Sequence, residues 1–247
     1  MATITHACLT DRGYTHTGNE DRWLADPDYG LYLVADGMAA GEPAQLTVDL
    51  LPELILKHVG SILIRAERTC AERMRLAIAE LSRRIHSIAL EQQAEWLGLG
   101  ATIALALVRW PHALLAHLGD SRIYLLRGGR LKALTRDHSY IEEIIEHGRM
   151  AREEADRLEF NGGPTRFAGM ADEAVADTRW IELQEGDRLL LCSDGLPEML
   201  DDSAIERVLN ANPTPEAGCR ALVDGANEAG GEDNITVMVI AVSGRAV

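Results

Sequence analysis

The stretch ATIALALVRWPHALLAHLGDSRIYLLRGGRLKAL, residues 101–134, decides the fold. It contains four short apolar runs, Ala101–Arg109, His112–Leu118, Arg122–Leu126 and Arg130–Leu134, rich in residues that favour strands. Pro111-His112, Gly119-Asp120 and Gly128-Gly129 punctuate them, and such pairs favour tight turns. The expectation is a run of antiparallel strands.

Working outward toward the N-terminus, Cys70, Met74, Ala77, Leu81, Ile85 and Ile88 recur at helical spacing across a charged stretch, which predicts an amphipathic helix. A second helix is expected over Pro43–Val59, with Leu46, Leu50, Leu54 and Ile55 on one side. Pro52 opposes it by removing a backbone donor. Leu31–Ala35 reads as a buried strand that stops at Asp36-Gly37.

Toward the C-terminus, short helices are expected over Ser139–His147 and Arg152–Leu158, and a mobile glycine-rich loop over Phe160–Met170. Strands follow at Thr178–Leu183 and Arg188–Cys192, helices at Ser203–Asn210 and Pro215–Ala229, and a last β-branched strand at Ile235–Val242. Helices in blocks and strands in blocks predict an α+β fold with antiparallel sheets. Without a long linker or an internal repeat, residues 1–247 read as a single domain.

Composition narrows the function. A chain of 247 residues with 47% hydrophobic and 26% charged residues can bury a large core. Its 24 basic residues against 39 acidic ones give a net charge of −15, which disfavours nucleic acid as a partner. Cys8, Cys70, Cys192 and Cys219 are too scattered for a zinc site or a disulfide framework. No apolar stretch reaches membrane-spanning length and no signal peptide is evident, so a cytoplasmic location away from the membrane is expected.

The chemistry lies in acidic motifs at strand ends: Asn19-Glu20-Asp21, Asp36-Gly37, Gly119-Asp120-Ser121 and Ser193-Asp194-Gly195. Gly231-Glu232-Asp233-Asn234 precedes the last strand. Three share one grammar, an apolar run followed by an Asp beside a Gly. One such Asp is an ordinary turn residue. Several converging at the rim of a core repel one another and need a cation. Oxygen donors without His or Cys suit Mg²⁺ or Mn²⁺, and a pair of such ions suits a phosphoryl group.

These residues resemble bacterial phosphatases of the PP2C (PPM) family. Thr10-Asp11-Arg12-Gly13 with Asn19-Glu20-Asp21 is similar to the family's opening motif, and Val34-Ala35-Asp36-Gly37-Met38 to its second. Two more are matched by His117-Leu118-Gly119-Asp120-Ser121-Arg122 and Leu134-Thr135-Arg136-Asp137-His138-Ser139. Leu191-Cys192-Ser193-Asp194-Gly195-Leu196 and Gly231-Glu232-Asp233-Asn234-Ile235-Thr236-Val237 complete the order, so the likeness runs from about residue 10 to 242. It implies a β-sandwich of two antiparallel sheets flanked by helices, in α-β-β-α layers, with a variable flap over about residues 139–177.

The resemblance further implies a serine/threonine protein phosphatase, opposing a bacterial kinase, in which a metal-bridging hydroxide attacks the phosphate ester of a phosphorylated protein. By matched position, Asp36 would bridge two Mn²⁺ or Mg²⁺ ions, with the Gly37 carbonyl as a further ligand. Asp194 and Asp233 would hold the first ion. Glu20 and Asp21 would act largely through coordinated waters, and Asp120 with Asp194 would match a third, weaker site. A monomer is expected.

Two departures qualify this picture. The family's phosphate-gripping arginine is replaced by His16, which is neither permanently charged nor a bidentate fork. Either His16 binds phosphate more weakly, or it points to solvent and Arg12, Arg22 or Arg166 compensates. The loop after Met38 is also about three residues shorter than is usual in the family. Both leave an alternative open, a weakly active or non-catalytic module that binds a phosphoprotein. A hydrolase of small phosphorylated metabolites is a third possibility. His117 and His138 are expected to be structural.

Overall fold

In a computed structural model, which describes residues 2–38, 41–60, 67–95, 97–155 and 163–244, the strands form two five-stranded sheets. The first contains β1 (Thr3–Asp11), β6 (Arg122–Arg127), β7 (Arg130–Ala133), β9 (Arg188–Cys192) and β10 (Ile235–Ser243), in the order β1-β10-β9-β6-β7. The second contains β2 (Arg22–Asp26), β3 (Leu31–Ala35), β4 (Ile103–Arg109), β5 (His112–Leu118) and β8 (Asp177–Glu182), in the order β2-β3-β4-β5-β8. All pairings are antiparallel. The quoted stretch supplies β4 to β7, as expected.

The continuous apolar runs exist because both faces of each sheet are covered. On β3 and β4, Leu31, Leu33, Ile103, Leu105 and Leu107 pack under α1 (Gly41–His58) and α2 (Glu67–Gln92). Their alternates Tyr32, Val34, Ala104, Ala106 and Val108 face the other sheet, where Ile123, Leu189, Leu191, Met238 and Ile240 meet them. On β10, Val237 and Val239 turn outward to Leu222, Val223 and Ala226 of α7 (Pro215–Ala229). Period-two alternation therefore divides each strand between two cores, and the layers are α-β-β-α.

The helices begin where local chemistry favours it. Thr214 caps α7 by accepting from the Ala217 N–H, with Pro215 in the first turn. Ser139 caps α3 (Tyr140–Glu146) in the same way through the Glu142 N–H. Pro52 is accommodated inside α1, which runs unbroken past it. α4 is described over Arg152–Ala155, and residues 156–158 of that expected helix lie outside the described residues.

The mobile loop expected over Phe160–Met170 needs correction where it is described. Residues 160–162 and the shortened loop at 39–40 fall outside the described residues. Ala168, however, is fully buried and exchanges backbone hydrogen bonds with Ala101, donating at 2.9 Å and accepting at 3.0 Å. Thr165 N–H donates to the His138 carbonyl at 2.6 Å. This segment is anchored, because its buried backbone groups need partners, and Ala101 just before β4, the His138 turn and Ser82 and His86 of α2 supply them.

Candidate active site

Antiparallel pairing brings the acidic motifs to one edge. β10 starts beside the end of β9, with Val237 opposite Cys192, so Asp233 and Asp194 flank the same point. β4 starts beside the end of β3, and the Asp36 carbonyl accepts from the Thr102 N–H at 2.9 Å. β5 ends opposite that start, with Leu118 facing Ile103, which delivers Asp120. Packing the two sheets face to face superposes these ends. His16, Glu20, Asp36, Gly37, Met38, Thr102, Asp120, Pro164, Asp194, Asp233 and Asn234 line one cavity of about 370 Å³.

Carboxylate oxygens of Asp36, Asp120 and Asp194 lie within 4.8 Å of one another, and so do those of Asp194, Glu198 and Asp233. Asp194 is common to both groups. Glu198 arrives from α5 (Gly195–Met199), a single turn that starts directly after Asp194. Residues four apart share a helix face, so Asp194 and Glu198 point the same way. Gly195 permits the close approach behind them: a Cβ there would lie 2.2 Å from the Asn234 carbonyl oxygen.

A polar scaffold fixes the acids from below. Ser193 Oγ donates to Asp21 Oδ2 at 2.8 Å and accepts from Thr236 N–H at 2.9 Å, which ties β9, β10 and the β1–β2 connection together. Thr10 and Thr236 hydroxyls pair at 2.7 Å, and Asn19 Nδ2 donates to Thr10 Oγ1 at 2.8 Å. Asn234 accepts from the Glu20 N–H at 2.7 Å and donates to the Arg12 and Gly18 carbonyls.

The electrostatics are those of a site built for cations. Asp36, Asp120 and Asp194 line the cavity but sit deep beneath surrounding protein, Asp21 and Glu198 lie close by, and burial is the first cause of every shift. Asp36 is pushed well above the usual carboxylate range, with Asp194, Asp21, Asp120 and Asp233 adding repulsion. Burial followed by the Asp194 charge raises Asp120 to about 8 and Glu198 to about 7. Asp21 rises to about 7 against the opposing Thr236 and Ser193 hydrogen bonds. Asp194 rises to about 6, through burial and then Asp233, held back by a hydrogen bond from Asp36. Glu20 Oε2, Asp21 Oδ1 and Asp120 Oδ1 are buried without a hydrogen-bond partner. An unsatisfied buried acceptor costs about 1–3 kcal/mol, and several in one cavity fit a divalent ion held by oxygen alone. On its donor chemistry the cavity fits Mn²⁺ or Mg²⁺.

The sequence profile of the family described as "Protein phosphatase 2C" matches residues 12–219. The chain belongs to the protein phosphatase 2C family. It is accordingly a metal-dependent serine/threonine protein phosphatase. The serine/threonine phosphatase stp of Listeria monocytogenes is 32% identical over 238 residues, covering 94% of this chain and 93% of that protein. The solved structure of the Mycobacterium tuberculosis serine/threonine phosphatase PstP/Ppp superposes with a TM-score of 0.82 at 30% identity, over 99% of this chain and 100% of that one. A structure of the PstP catalytic domain in complex with two manganese ions superposes with a TM-score of 0.79 at 28% identity, over 99% and 100% of the two chains.

Within this PP2C site the structure answers some questions the sequence left open. His16 does not simply face solvent: its Nε2 lies 3.2 Å from Asp233 Oδ1, and the ring lines the cavity. Arg22 is no substitute for the family arginine, because its guanidinium is spent on Gln45 Oε1 and the Asn19 and Asp21 carbonyls. Arg12 and Arg166 do not line the cavity. Glu198 and Asn234 are the residues that sequence reasoning missed. The Asp194-to-Glu198 spacing could have exposed the first, had a helix been expected there. Asn234 was visible only as part of a motif, since its partners lie more than 200 residues away.

No helix among the described residues is long and apolar enough to cross a membrane.

Proposed function

We propose that this phosphatase hydrolyses phosphoserine and phosphothreonine in proteins phosphorylated by a serine/threonine kinase, using two Mn²⁺ or Mg²⁺ ions and a weaker third. The observation that carries the reading is the convergence of Asp36, Asp120, Asp194 and Asp233 on one cavity, with orphaned carboxylate oxygens and no lysine or arginine lining it among the described residues, and with Glu198 beside Asp194 and Asp233.

Asp36, the Gly37 carbonyl, Asp194 and Asp233 would hold the principal ions. Glu20 and Asp21 would act one layer out, and Asp120 with Asp194 would hold the third ion. Glu198 joins the set through its place beside Asp194 and Asp233. When bound, the ions neutralise phosphoryl oxygens and acidify the attacking water. The chain's own work is to fix the acids so that a phosphate ester meets them in one orientation. Ser193 holds Asp21, and Asn234 holds the Glu20 backbone. His16 stands beside Asp233 on the cavity wall, where it would donate to an incoming phosphate in place of a permanent guanidinium.

The test is hydrolysis of a phosphothreonine peptide by metal-stripped protein, with and without added Mn²⁺, beside sugar and nucleotide phosphates. Turnover that appears only with metal and favours the peptide is expected. Mn²⁺ binding without turnover would replace this reading with that of a phosphoprotein-binding module. Preference for a small phosphate would replace the substrate class.

A further inference from the structure

Behind Asp120, outside the acidic cavity, His117, His138 and Asp177 form a second cluster of titratable groups. Their ligand atoms lie within 4.8 Å of one another, and the two imidazoles stack with centroids 4.2 Å apart. Both histidines are buried, at 2% and 6% exposure, although histidine is only intermediate in its tendency to be buried.

The hydrogen bonds assign the protons. A backbone N–H can only donate, so His138 Nδ1, 3.1 Å from the Gly119 nitrogen, must be an unprotonated acceptor. The neutral ring then carries its proton on Nε2, which lies 3.3 Å from Asp177 Oδ2, within electrostatic reach although not aligned as a hydrogen bond. His117 Nε2 lies 3.0 Å from the Gly119 carbonyl oxygen, which can only accept, so that nitrogen is protonated. Burial, then His138, lowers His117 to about 4, so it is neutral near pH 7. A metal on His138 Nε2 would require a ring without any proton, because Nδ1 is already accepting. The cluster is an orienting device.

Its object is Gly119. That residue is gripped on both sides: its N–H by His138 Nδ1, and its carbonyl by the His138 backbone N–H at 2.8 Å and by His117. Gly119 has φ +103°, and a Cβ there would lie 2.6 Å from Thr102, so no other residue fits. The next residue is Asp120. The His138 carbonyl meanwhile accepts from Thr165 N–H at 2.6 Å and Thr165 Oγ1 at 3.0 Å, and the neighbouring Pro164 lines the acidic cavity.

We propose that His138, oriented by Asp177, is a positioning residue that aims the Asp120 carboxylate into the acidic cavity through Gly119 and locks it to the Pro164–Thr165 segment. This rests on reading Asp120 as a ligand of the weakest-bound ion. Partners that orient ligands without touching the metal typically change affinity about 10–100-fold when removed.

The test is calorimetric titration of metal-stripped protein with Mn²⁺ for wild type, Asp120→Asn, His138→Leu, His138→Asn and Asp177→Asn. His138→Leu should weaken the weakest Mn²⁺ step about tenfold and leave the tighter steps unchanged. His138→Asn, whose Oδ1 can accept from Gly119 N–H, should recover most of that loss. A merely structural role would weaken all steps together, without rescue by Asn. Should His138→Leu fail to fold, Asp177→Asn, on an exposed residue, must still shift the weakest step in the same direction. Imidazole ¹⁵N shifts of the metal-free wild type should show His138 protonated on Nε2 alone. Protonation on Nδ1 overturns the proposal, as does an unchanged isotherm for both His138→Leu and Asp177→Asn. If Asp120→Asn shifts the curve and these variants do not, only the positioning role falls. If Asp120→Asn leaves it unmoved, the ligand assignment falls and the proposal with it.

Discussion

The acidic cavity and the Glu80 cluster on the α1–α2 surface treat the same functional group in opposite ways. Glu80 receives Lys57 Nζ at 2.8 Å, His58 Nε2 at 2.7 Å and Arg84 Nη2 at 2.7 Å. The Lys57 hydrogen bond, followed by that of His58, lowers Glu80 to about 2. Around the cavity, Asp36, Asp120 and Asp194 crowd one another, Glu198 stands beside Asp194, and all are raised. One carboxylate is given more cations than it needs, while Asp36, Asp120 and Asp194 line a cavity with no lysine or arginine among its described lining residues. A cluster completed by its own side chains serves the fold. A cluster left incomplete is reserved for something that arrives from outside.

The contrast is sharpest at Asp36. Asp36→Asn should lower Mn²⁺-dependent phosphopeptide turnover on the order of 10³-fold or more, since one lost ligand disturbs the charge stabilisation an ion provides. The same change should raise the melting temperature of the metal-free protein near pH 8, because it removes a buried repelling charge. Loss of both activity and metal-free stability would break the contrast.

Metal itself should reverse the penalty. An ion at about a hundred times its Kd stabilises by roughly 2.7 kcal/mol, so two ions should raise the melting temperature by about 10 °C or more in a chain of this size. The sign of the pH dependence follows from the raised values. A carboxyl with a folded pKa above its unfolded value of about 4 favours folding at low pH and loses that contribution as pH rises through the folded value. Metal-free protein should therefore lose stability between about pH 4 and 8, where Asp194, Glu198 and Asp120 titrate. Saturating Mn²⁺ should flatten or invert that slope in thermal melts.

Glu80 should show the opposite slope and the smallest effect. Its lowered pKa stabilises above the unfolded value, and the contribution disappears as pH falls toward about 2. Glu80→Gln should lower the melting temperature at pH 7 by much less than metal removal does, because its partners are largely solvent-exposed. Turnover should be unchanged. A catalytic defect in Glu80→Gln would mean that the two clusters are coupled through α2.

Much of this was readable along the chain. β9 and α7 have the expected bounds, and β4 to β7 follow the quoted stretch within a few residues. The strands were legible because they are short apolar runs bounded by Gly and Pro turn pairs, and α7 because Thr214-Pro215 marks its start. β1 was missed because its residues are only partly covered and polar ones interrupt it: Thr3, Thr5, His6, Thr10 and Asp11 share nine residues with four apolar side chains. β2 and α5, at five residues each, are too short for periodicity to register. In the site, Asp36, Asp120, Asp194 and Asp233 stood out as Asp-containing motifs beside apolar strands. What the sequence could not tell is which partner a side chain chooses across space. His16 meets Asp233, and Arg22 is consumed by backbone carbonyls.

The pairing of β1 with β10 carries a consequence for synthesis. β1 sits at a sheet edge with β10 as its single neighbour in the sheet, and the Thr10–Thr236 bond closes a separation of 226 residues. Asp233 enters immediately before that last strand. A nascent polypeptide emerging from the ribosome therefore has an unzipped first strand and an unfinished reaction centre until β10 has been made. Such late closure slows folding, and it also means that an abortive fragment ending before β10 cannot strip phosphates from anything in the cell.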